Sequence, residues 1–525
     1  MILTLIFYLL CVLLFLVSTS MSVVDSMHFF QLNSYRFDTH TKWLKENHSK
    51  YLPHAILSVM LLIVVTVPIN ITVKLILLAV LFAITIKPEM PKKAKKPLVY
   101  TPRVKRMLVT LAAVVGVIVA AASKPCFVKN RQTIAAFILV LLYAFSPLLV
   151  LLANLINKPI ELSINRHYTN DAKKILAACP DLTIIGVTGS YGKTSVKYYL
   201  NTLLRAKYNV LMTPESYNTP MGVVKTIRGS LKATHEIFIC EMGAKWVGDI
   251  KELCDIVHPK HGIITSIGPQ HLESFKTLDA VKSTKFELAD ALPEDGMLFL
   301  NGDDQNIKDY GCKRPAVTYS VEGDADYVAY DLSVSEKGTS FSVRTKDGET
   351  ERYSTRLIGR HNVLNIVGAI AISHKLGIPL SDLKGQVRKL EGVPHRLELT
   401  EKNGVTIIDD AYNSNPSGTK AALEALSLFD GYKILVTPGM VELGEKQDEL
   451  NREFGQNAAK VCDYVVLVGQ KQAVPIKAGL LDENYDENKI FVASTINEAL
   501  SHVYALRSGG QKKVILLEND LPDNY

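Results

Sequence analysis

The residues best suited to chemistry begin with Gly186-Val-Thr-Gly189-Ser190-Tyr-Gly192-Lys193-Thr194-Ser195, directly behind the apolar run Leu182–Ile185. A short β-branched run, a glycine-rich turn and a Lys-Thr pair opening a helix-compatible stretch (Ser195–Ala206) is the layout of a phosphate-binding loop. Glycines let backbone N–H groups crowd round phosphate oxygens, the helix N-terminus adds partial positive charge, and lysine adds a full one. One residue more than the Walker pattern allows separates Gly186 from Gly192. Downstream, Glu241 follows the apolar Ile237–Cys240. A carboxylate at the C-terminal end of a parallel strand lies where an open α/β sheet gathers ligands. His271, Lys285, Asn301 and the segment Gly359-Arg-His-Asn362-Val-Leu-Asn365 come next. Singly, each has a plain reading: a surface glutamate, a structural histidine, a solvated helix charge, a turn and a helix cap.

The elements that must position these residues alternate between strand-like and helix-like runs from about Lys158 onward. Strands are predicted at Leu182–Ile185, Ile237–Cys240, Gly262–Thr265, Met297–Leu300, Val405–Ile408, Ile434–Val436, Val465–Val468, Ile490–Val492 and Val514–Leu517. Helical spacing lies between many of them, as in Gly418–Leu428 and Leu450–Val461. The alternation predicts α/β architecture with largely parallel sheets. Asp324–Arg356, with short polar alternating runs and Lys-Gly and Asp-Gly turns, reads as an antiparallel excursion. A boundary falls near Glu391-Gly-Val-Pro394, after which a second strand–helix series begins.

In front of all this, Ile2–Val17, Ile56–Ile86, Met107–Ala122 and Ile134–Ile156 are apolar. The second run carries Pro68-Ile-Asn70 near its middle and reads as a tight helical hairpin, which makes five spans near the roughly 20 residues needed to cross a bilayer. The first span has neither a basic leader nor a small-residue cleavage site, so it reads as an anchor. The loop Lys87–Arg106, with Lys92, Lys93, Lys95, Lys96, Arg103 and Lys105, is the most basic, and Met21–Tyr51 has the same sign. Both are expected in the cytosol, placing the N-terminus outside and everything after Ile156 inside. The three positive charges of Lys124–Arg131 sit on the wrong side of that topology.

Composition narrows the function classes. Lys+Arg 59 against Asp+Glu 52 is mildly basic, and without aromatic–basic interleaving it gives no footprint for nucleic acid. The seven cysteines are scattered with no Cys-x-x-Cys, which argues against a zinc ribbon or a disulfide framework and fits a reducing compartment.

In this order the motifs resemble the Mur ligase family. The matching set is Gly-x-Thr-Gly-Ser-x-Gly-Lys-Thr, Ser216-Tyr-Asn218-Thr-Pro-x-Gly222, Glu241-Met-Gly-Ala, His271-Leu-Glu-x-Phe and Lys285-x-Glu. It continues through Asn301-x-Asp, Gly359-Arg-His-Asn-x-x-Asn365, Pro394-His-Arg396, Asp409-Asp-Ala-Tyr-Asn-Ser-Asn-Pro416 and Pro438-Gly-Met-x-Glu442-Leu-Gly444. Behind the transmembrane region that the apolar runs indicate over 1–160, the resemblance implies a P-loop parallel-sheet ATPase domain over 161–392 and a C-terminal Rossmann-like α/β domain over 393–525. It also implies ATP-dependent amide synthesis with Mg²⁺. On matching positions, Gly189, Ser190, Gly192, Lys193 and Ser195 would hold the ATP phosphates, and Thr194 a first Mg²⁺. Glu241 and His271 would bind a second Mg²⁺, and Lys285 is the position commonly carbamylated into a carboxylate-like metal partner. Asn218 would lie near phosphates and metal, Asn301 and Asn365 at adenine, Arg396 at the γ-phosphate and Asp410 at the ribose. Tyr412, Asn413 and Asn415 would lie over the acceptor site.

Two departures bear on the substrate. Soluble family members begin with a small UDP-binding domain, whereas here some 25 residues, Lys158–Leu182, separate the last span from the phosphate loop. The chain ends in Leu516-Leu-Glu518-Asn-Asp520-Leu-Pro-Asp523-Asn-Tyr525 where a basic Lys-Gly-Ser segment is expected, and this acidic stretch reads as a solvated tail ahead of a site for a cationic acceptor. The expectation is a membrane-anchored ligase of cell-wall precursors, adding D-alanyl-D-alanine or a related amine to a lipid-linked or UDP-linked muramoyl peptide. It could also associate with other envelope-synthesis proteins. A polyglutamate-type ligase and a non-catalytic nucleotide-dependent membrane scaffold stay open as alternatives.

Overall fold

The computed structural model describes residues 2–90, 96–123, 132–321, 323–335, 337–402, 404–411 and 414–520. They form two compact units, one running to Arg166 and one from His167.

The first unit is helical: α1 (Ile2–Leu32), α2 (Phe37–Glu46), α3 (Leu52–Thr66), α4 (Ile71–Glu89), α5 (Pro102–Ser123), α6 (Gln132–Ala144) and α7 (Ser146–Ala177). Its helices pack on Phe15, Leu61, Phe82, Met107 and Tyr143, while Ile6, Leu13, Val109 and Val117 face outward. Apolar residues on the outside as well as the inside are what a lipid-facing bundle requires. Five helical segments, Ile2–Leu32, His48–Thr66, Ile71–Glu89, Pro102–Ser123 and Ser146–Ala177, are long and apolar enough to cross a bilayer.

The expected hairpin within Ile56–Ile86 is α3 and α4. The Asn70 side chain accepts the Thr72 N–H (2.9 Å) and caps α4. Lys74, buried, donates its ammonium to the Val65 carbonyl in the last turn of α3 (2.7 Å). Two spans differ from the sequence reading. α1 continues past Val17 to Leu32. The expected span Ile134–Ile156 is cut at Phe145, because Pro147 has no N–H to donate and its ring crowds the carbonyl one turn back. α6 is then a helix of 13 residues, about 20 Å long, and the fifth membrane-length segment is α7. Lys92, Lys93, Lys95 and the loop Lys124–Arg131 lie outside the described residues.

The second unit holds two sheets. The first contains β1 (Thr183–Thr188), β2 (Val210–Met212), β3 (Ile237–Glu241), β4 (His261–Ile264), β5 (Leu298–Asn301), β6 (Ala316–Val321), β7 (Tyr327–Ser335), β8 (Gly338–Thr345) and β9 (Thr350–Thr355). Their order is β2-β3-β1-β4-β5-β6-β7-β8-β9. Pairing is parallel up to β7 and antiparallel from β7 to β9, so the excursion expected over Asp324–Arg356 extends the same sheet. Ile185, Val187, Ile239 and Ile263 are fully buried, as β-branched runs in a sheet covered on both faces must be.

The second sheet contains β10 (Glu398–Lys402), β11 (Val405–Asp410), β12 (Tyr432–Thr437), β13 (Tyr464–Val468), β14 (Ile490–Ala493) and β15 (Lys513–Glu518). Its order is β10-β11-β15-β12-β13-β14, parallel except for β10. All nine strands read from the sequence are present. The reading of the C-terminus as a solvated tail is corrected at Glu518, which is the fully buried last residue of β15.

Candidate active site

The phosphate loop leaves the C-terminal end of β1 and enters the helix Lys193–Leu204. It lies against the residues that follow β4: Ser190 N–H donates to Ser266 O (2.7 Å), Tyr191 N–H to Ser266 Oγ (2.9 Å), and Ser190 Oγ to Gly268 O (3.1 Å). Two glycines make that fit possible. A Cβ at Gly189 (φ +150°) would lie 2.1 Å from Thr265 Oγ1, and one at Gly192 (φ +78°) would lie 2.7 Å from Asn365 Oδ1. Asn365, in the helix Arg360–Lys375, is thereby brought against the loop.

Lys193 curls back over the loop and donates to Gly189 O (2.6 Å) and Ser190 O (2.9 Å). Burial lowers its ammonium to about 8, with Glu241 opposing that shift and Arg396 adding to it. Lys285, 1% exposed within the helix Leu278–Ala291, is held well below its usual range by burial and then by the Lys193 charge. Its plain reading as a solvated helix charge is corrected. Lys193 thus lies within electrostatic range of both Lys285 and Arg396, which come from two other elements, an arrangement suited to a polyanion.

Glu241, the last residue of β3 and 1% exposed, collects a second cluster. Its Oε1 accepts from Asn218 Nδ2 (3.0 Å) and Thr194 Oγ1 (3.3 Å). Its Oε2 pairs with Lys197 Nζ (2.9 Å), which also donates to the Glu215 carbonyl. Lys197 has no role in the sequence reading, although it stands four residues after Lys193 and so on the same helical face. The grouping of a carboxylate, a hydroxyl and an amide supplies hard oxygen donors of the kind Mg²⁺ takes.

His271, at φ +52° before the short helix Leu272–Phe275, is bound elsewhere. Its Nδ1 pairs with Glu442 Oε2, and Lys245 Nζ pairs with Glu442 Oε1 (3.1 Å). Burial lowers the His271 imidazole, against the pull of Glu442. The described hydrogen bonds and ion pairs therefore join Thr194, Asn218 and Glu241 in one group and place His271 in another. Among the described residues, the one close group of three His, Cys, Asp or Glu ligand atoms is His395, Glu398 and Asp409, a triad the sequence did not suggest.

The remaining expected residues are placed as follows. Asn301 ends β5 and is occupied within the protein, donating to Thr265 O (2.9 Å) and accepting from Asp303 N–H (2.9 Å). Ser195 lies close enough to the Tyr199 phenol to hydrogen-bond it. Arg396 sits between two non-glycine residues at positive φ, His395 (+59°) and Leu397 (+49°). Asp410 ends β11, accepts the Leu397 N–H (3.2 Å) and is raised to about 6 by burial. Beside it in register, Glu518 accepts from Ser414 Oγ (2.6 Å) and Thr437 Oγ1 (3.3 Å). Asn415 caps the helix Pro416–Ser427, and Tyr412 and Asn413 lie outside the described residues.

Comparison with known proteins gives matches on this same unit. Residues 187–373 match the Mur ligase middle domain, and residues 395–517 match the Mur ligase glutamate ligase domain. The UDP-N-acetylmuramoyl-tripeptide–D-alanyl-D-alanine ligase of Bacillus subtilis is 34% identical over 276 residues, 52% of this chain. The chain spans 59% of that relative's length. Among solved structures, MurF from Acinetobacter baumannii superposes with a TM-score of 0.62 at 25% identity, covering 68% of this chain and 77% of that one. MurF ligase from Thermotoga maritima in complex with ADP superposes with a TM-score of 0.61 at 27% identity, covering 68% and 80%.

Proposed function

The chain belongs to the Mur ligase family through its middle and C-terminal domains, and from that premise we propose that it is an ATP-dependent ligase of cell-envelope precursors held at a membrane. The observation that carries this reading is that Lys193, within electrostatic range of Lys285 and of Arg396, sits on a loop in which glycines keep Cβ atoms out of the cradle.

The reaction is the condensation of a carboxylate with an amine. A carboxylate oxygen of the donor attacks the γ-phosphorus of ATP, ADP leaves, and an acyl phosphate remains. The acceptor amine attacks the acyl carbon and loses a proton, and inorganic phosphate departs as the amide forms. The first step brings two anions together, so its barrier falls where positive charge is fixed in advance. Lys193 exchanges its two loop carbonyls for phosphate oxygens, and Arg396 reaches the same phosphates from the second sheet. Thr194 would hold a first Mg²⁺, and Glu241 and His271 a second, with a carbamylated Lys285 as metal partner and Asn218 close by; when bound, Mg²⁺ would supply further charge neutralisation on the transferring phosphoryl group. Asn301 and Asn365 lie at adenine and Asp410 at the ribose. Tyr412, Asn413 and Asn415 face the acceptor, for which D-alanyl-D-alanine is the first choice. Domains divide at about 160 and 392.

Five membrane-length apolar helices in the same chain as the ligase domains support a multi-pass membrane enzyme acting on a lipid-linked muramoyl peptide. The basic residues Lys87, Arg103, Lys105 and Arg106 place the loop between α4 and α5 in the cytosol with the ligase domains, and the N-terminus and the α3–α4 turn outside. Purified protein given ATP, D-alanyl-D-alanine and either a lipid-linked or a UDP-linked muramoyl tripeptide should release phosphate with the lipid-linked donor. Turnover with the UDP-linked donor alone would refute the membrane part of the proposal. Lys193→Ala should lower phosphate release at least about 100-fold, and unchanged release would overturn the loop assignment.

A further inference from the structure

Glu442 stands outside every role assigned above, yet its side chain joins loops of the two sheets at the site. It lies in the loop after β12, at φ +63°, in a backbone region that side-chain-bearing residues rarely adopt. One carboxylate oxygen takes Lys245, from the loop after β3, and the other takes His271 Nδ1, from the segment after β4. His271 is itself at positive φ (+52°), so both ends of the contact hold a non-glycine residue in the left-handed region. Such conformations persist only where surrounding contacts over-determine them, and they concentrate at functional sites. The Gly444 backbone beside it approaches Leu272 and Glu273, so the two loops meet along their length.

The chemistry of the pair is directional. A carboxylate beside Nδ1 accepts an N–H from that nitrogen and fixes the ring as the tautomer whose Nε2 carries the free lone pair. Histidines that bind metals are commonly oriented in this way by a carboxylate on the other nitrogen. Resting on the ligase reading given above, we propose that Glu442 is a positioning residue for the metal site. It sets the tautomer and orientation of His271, so that Nε2 is offered to Mg²⁺ only while the loop after β12 is seated on the loops after β3 and β4. Metal binding by the first sheet is thereby made conditional on the placement of the second. Lys245 holds the other oxygen and keeps the carboxylate from rotating away.

The test is calorimetric binding of ADP to the full-length protein, with and without Mg²⁺, for wild type, Glu442→Gln and Glu442→Asp. Loss of the orienting carboxylate should weaken MgADP binding by about 10- to 100-fold and leave metal-free ADP binding as in wild type. Glu442→Asp should fall between the two. Equal weakening with and without Mg²⁺ would mark Glu442 as merely structural and overturn the proposal. So would unchanged affinity in both conditions. If wild type itself binds no MgADP, the ligase reading fails; if wild type binds and Glu442→Gln matches it, this inference alone fails.

Discussion

Replacing Glu518 by glutamine should change how the stability of the six-stranded sheet depends on pH. Glu518 is fully buried at the end of β15, and burial, reinforced by the Asp410 charge, pushes its carboxyl up from 4.5 to about 8. Between those values the folded protein keeps a proton that the unfolded chain releases. The native state is then the one with more bound protons, so stability falls as pH rises from about 4.5 toward 8. Each pH unit in that window costs about 1.4 kcal/mol. From pH 6 to pH 8, allowing for half-titration at the upper end, the loss is about 2 kcal/mol. Glu518→Gln keeps the volume, can accept from Ser414 and donate to Thr437, and has nothing to ionise. Asp410 titrates in both proteins, so its direct contribution cancels in the comparison. Pulse proteolysis in urea at pH 6, 7 and 8, with fragments assigned to 395–520, reads the sheet locally. The wild-type midpoint should fall relative to the variant's by the urea equivalent of about 2 kcal/mol. Parallel pH curves for the two proteins, or a steeper fall in the variant, would refute the reasoning.

Two further outcomes follow from the site. Lys197→Met leaves the buried Glu241 without its ammonium partner and should destabilise the catalytic unit by about 3–5 kcal/mol; adding Glu241→Gln should restore most of it, measured by thermal unfolding. Burial favours the neutral amine of Lys285, the form that adds to CO₂ with formation of an N–C bond and release of a proton. Protein equilibrated with ¹³C-bicarbonate should show one carbamate carbon resonance that disappears in Lys285→Ala, and a spectrum without that resonance would count against carbamylation.

Much of the fold was legible because parallel strands buried on both faces announce themselves as β-branched runs. Most of the nine anticipated strands have that character; Met297–Leu300 is apolar without β-branching, and β14 is partly exposed. β2, three residues long, and β10, the polar antiparallel edge, do not. The helical unit was legible as far as hydropathy carries information. The break at Phe145 was not, since Ser146-Pro147 inside an apolar run reads as continuous until the missing N–H is placed in a helix. At the site, motif spacing indicated Lys193, Glu241 and Lys285. It could not show that Lys197 neutralises Glu241, because one helical lysine looks like another in sequence. Glu442 was visible within its motif, but its partners His271 and Lys245 lie about 170 and 200 residues away, and only tertiary structure brings them together. Glu518 was misread because an acidic run beside a terminus resembles solvated chain, whereas its alternation with buried Leu516 continues a strand.

On the membrane reading proposed above, the Lys74 side chain, spent on the Val65 carbonyl, bears on how the hairpin of α3 and α4 would enter a bilayer. A lysine entering hydrocarbon alone would carry an unsatisfied charge, and the last turn of α3 entering alone would carry unsatisfied carbonyls. Each defect is the other's remedy, and the four residues between the helices hold them within reach. The hairpin therefore has reason to partition into the bilayer as one body, after α4 has left the ribosome, and not helix by helix in order of synthesis.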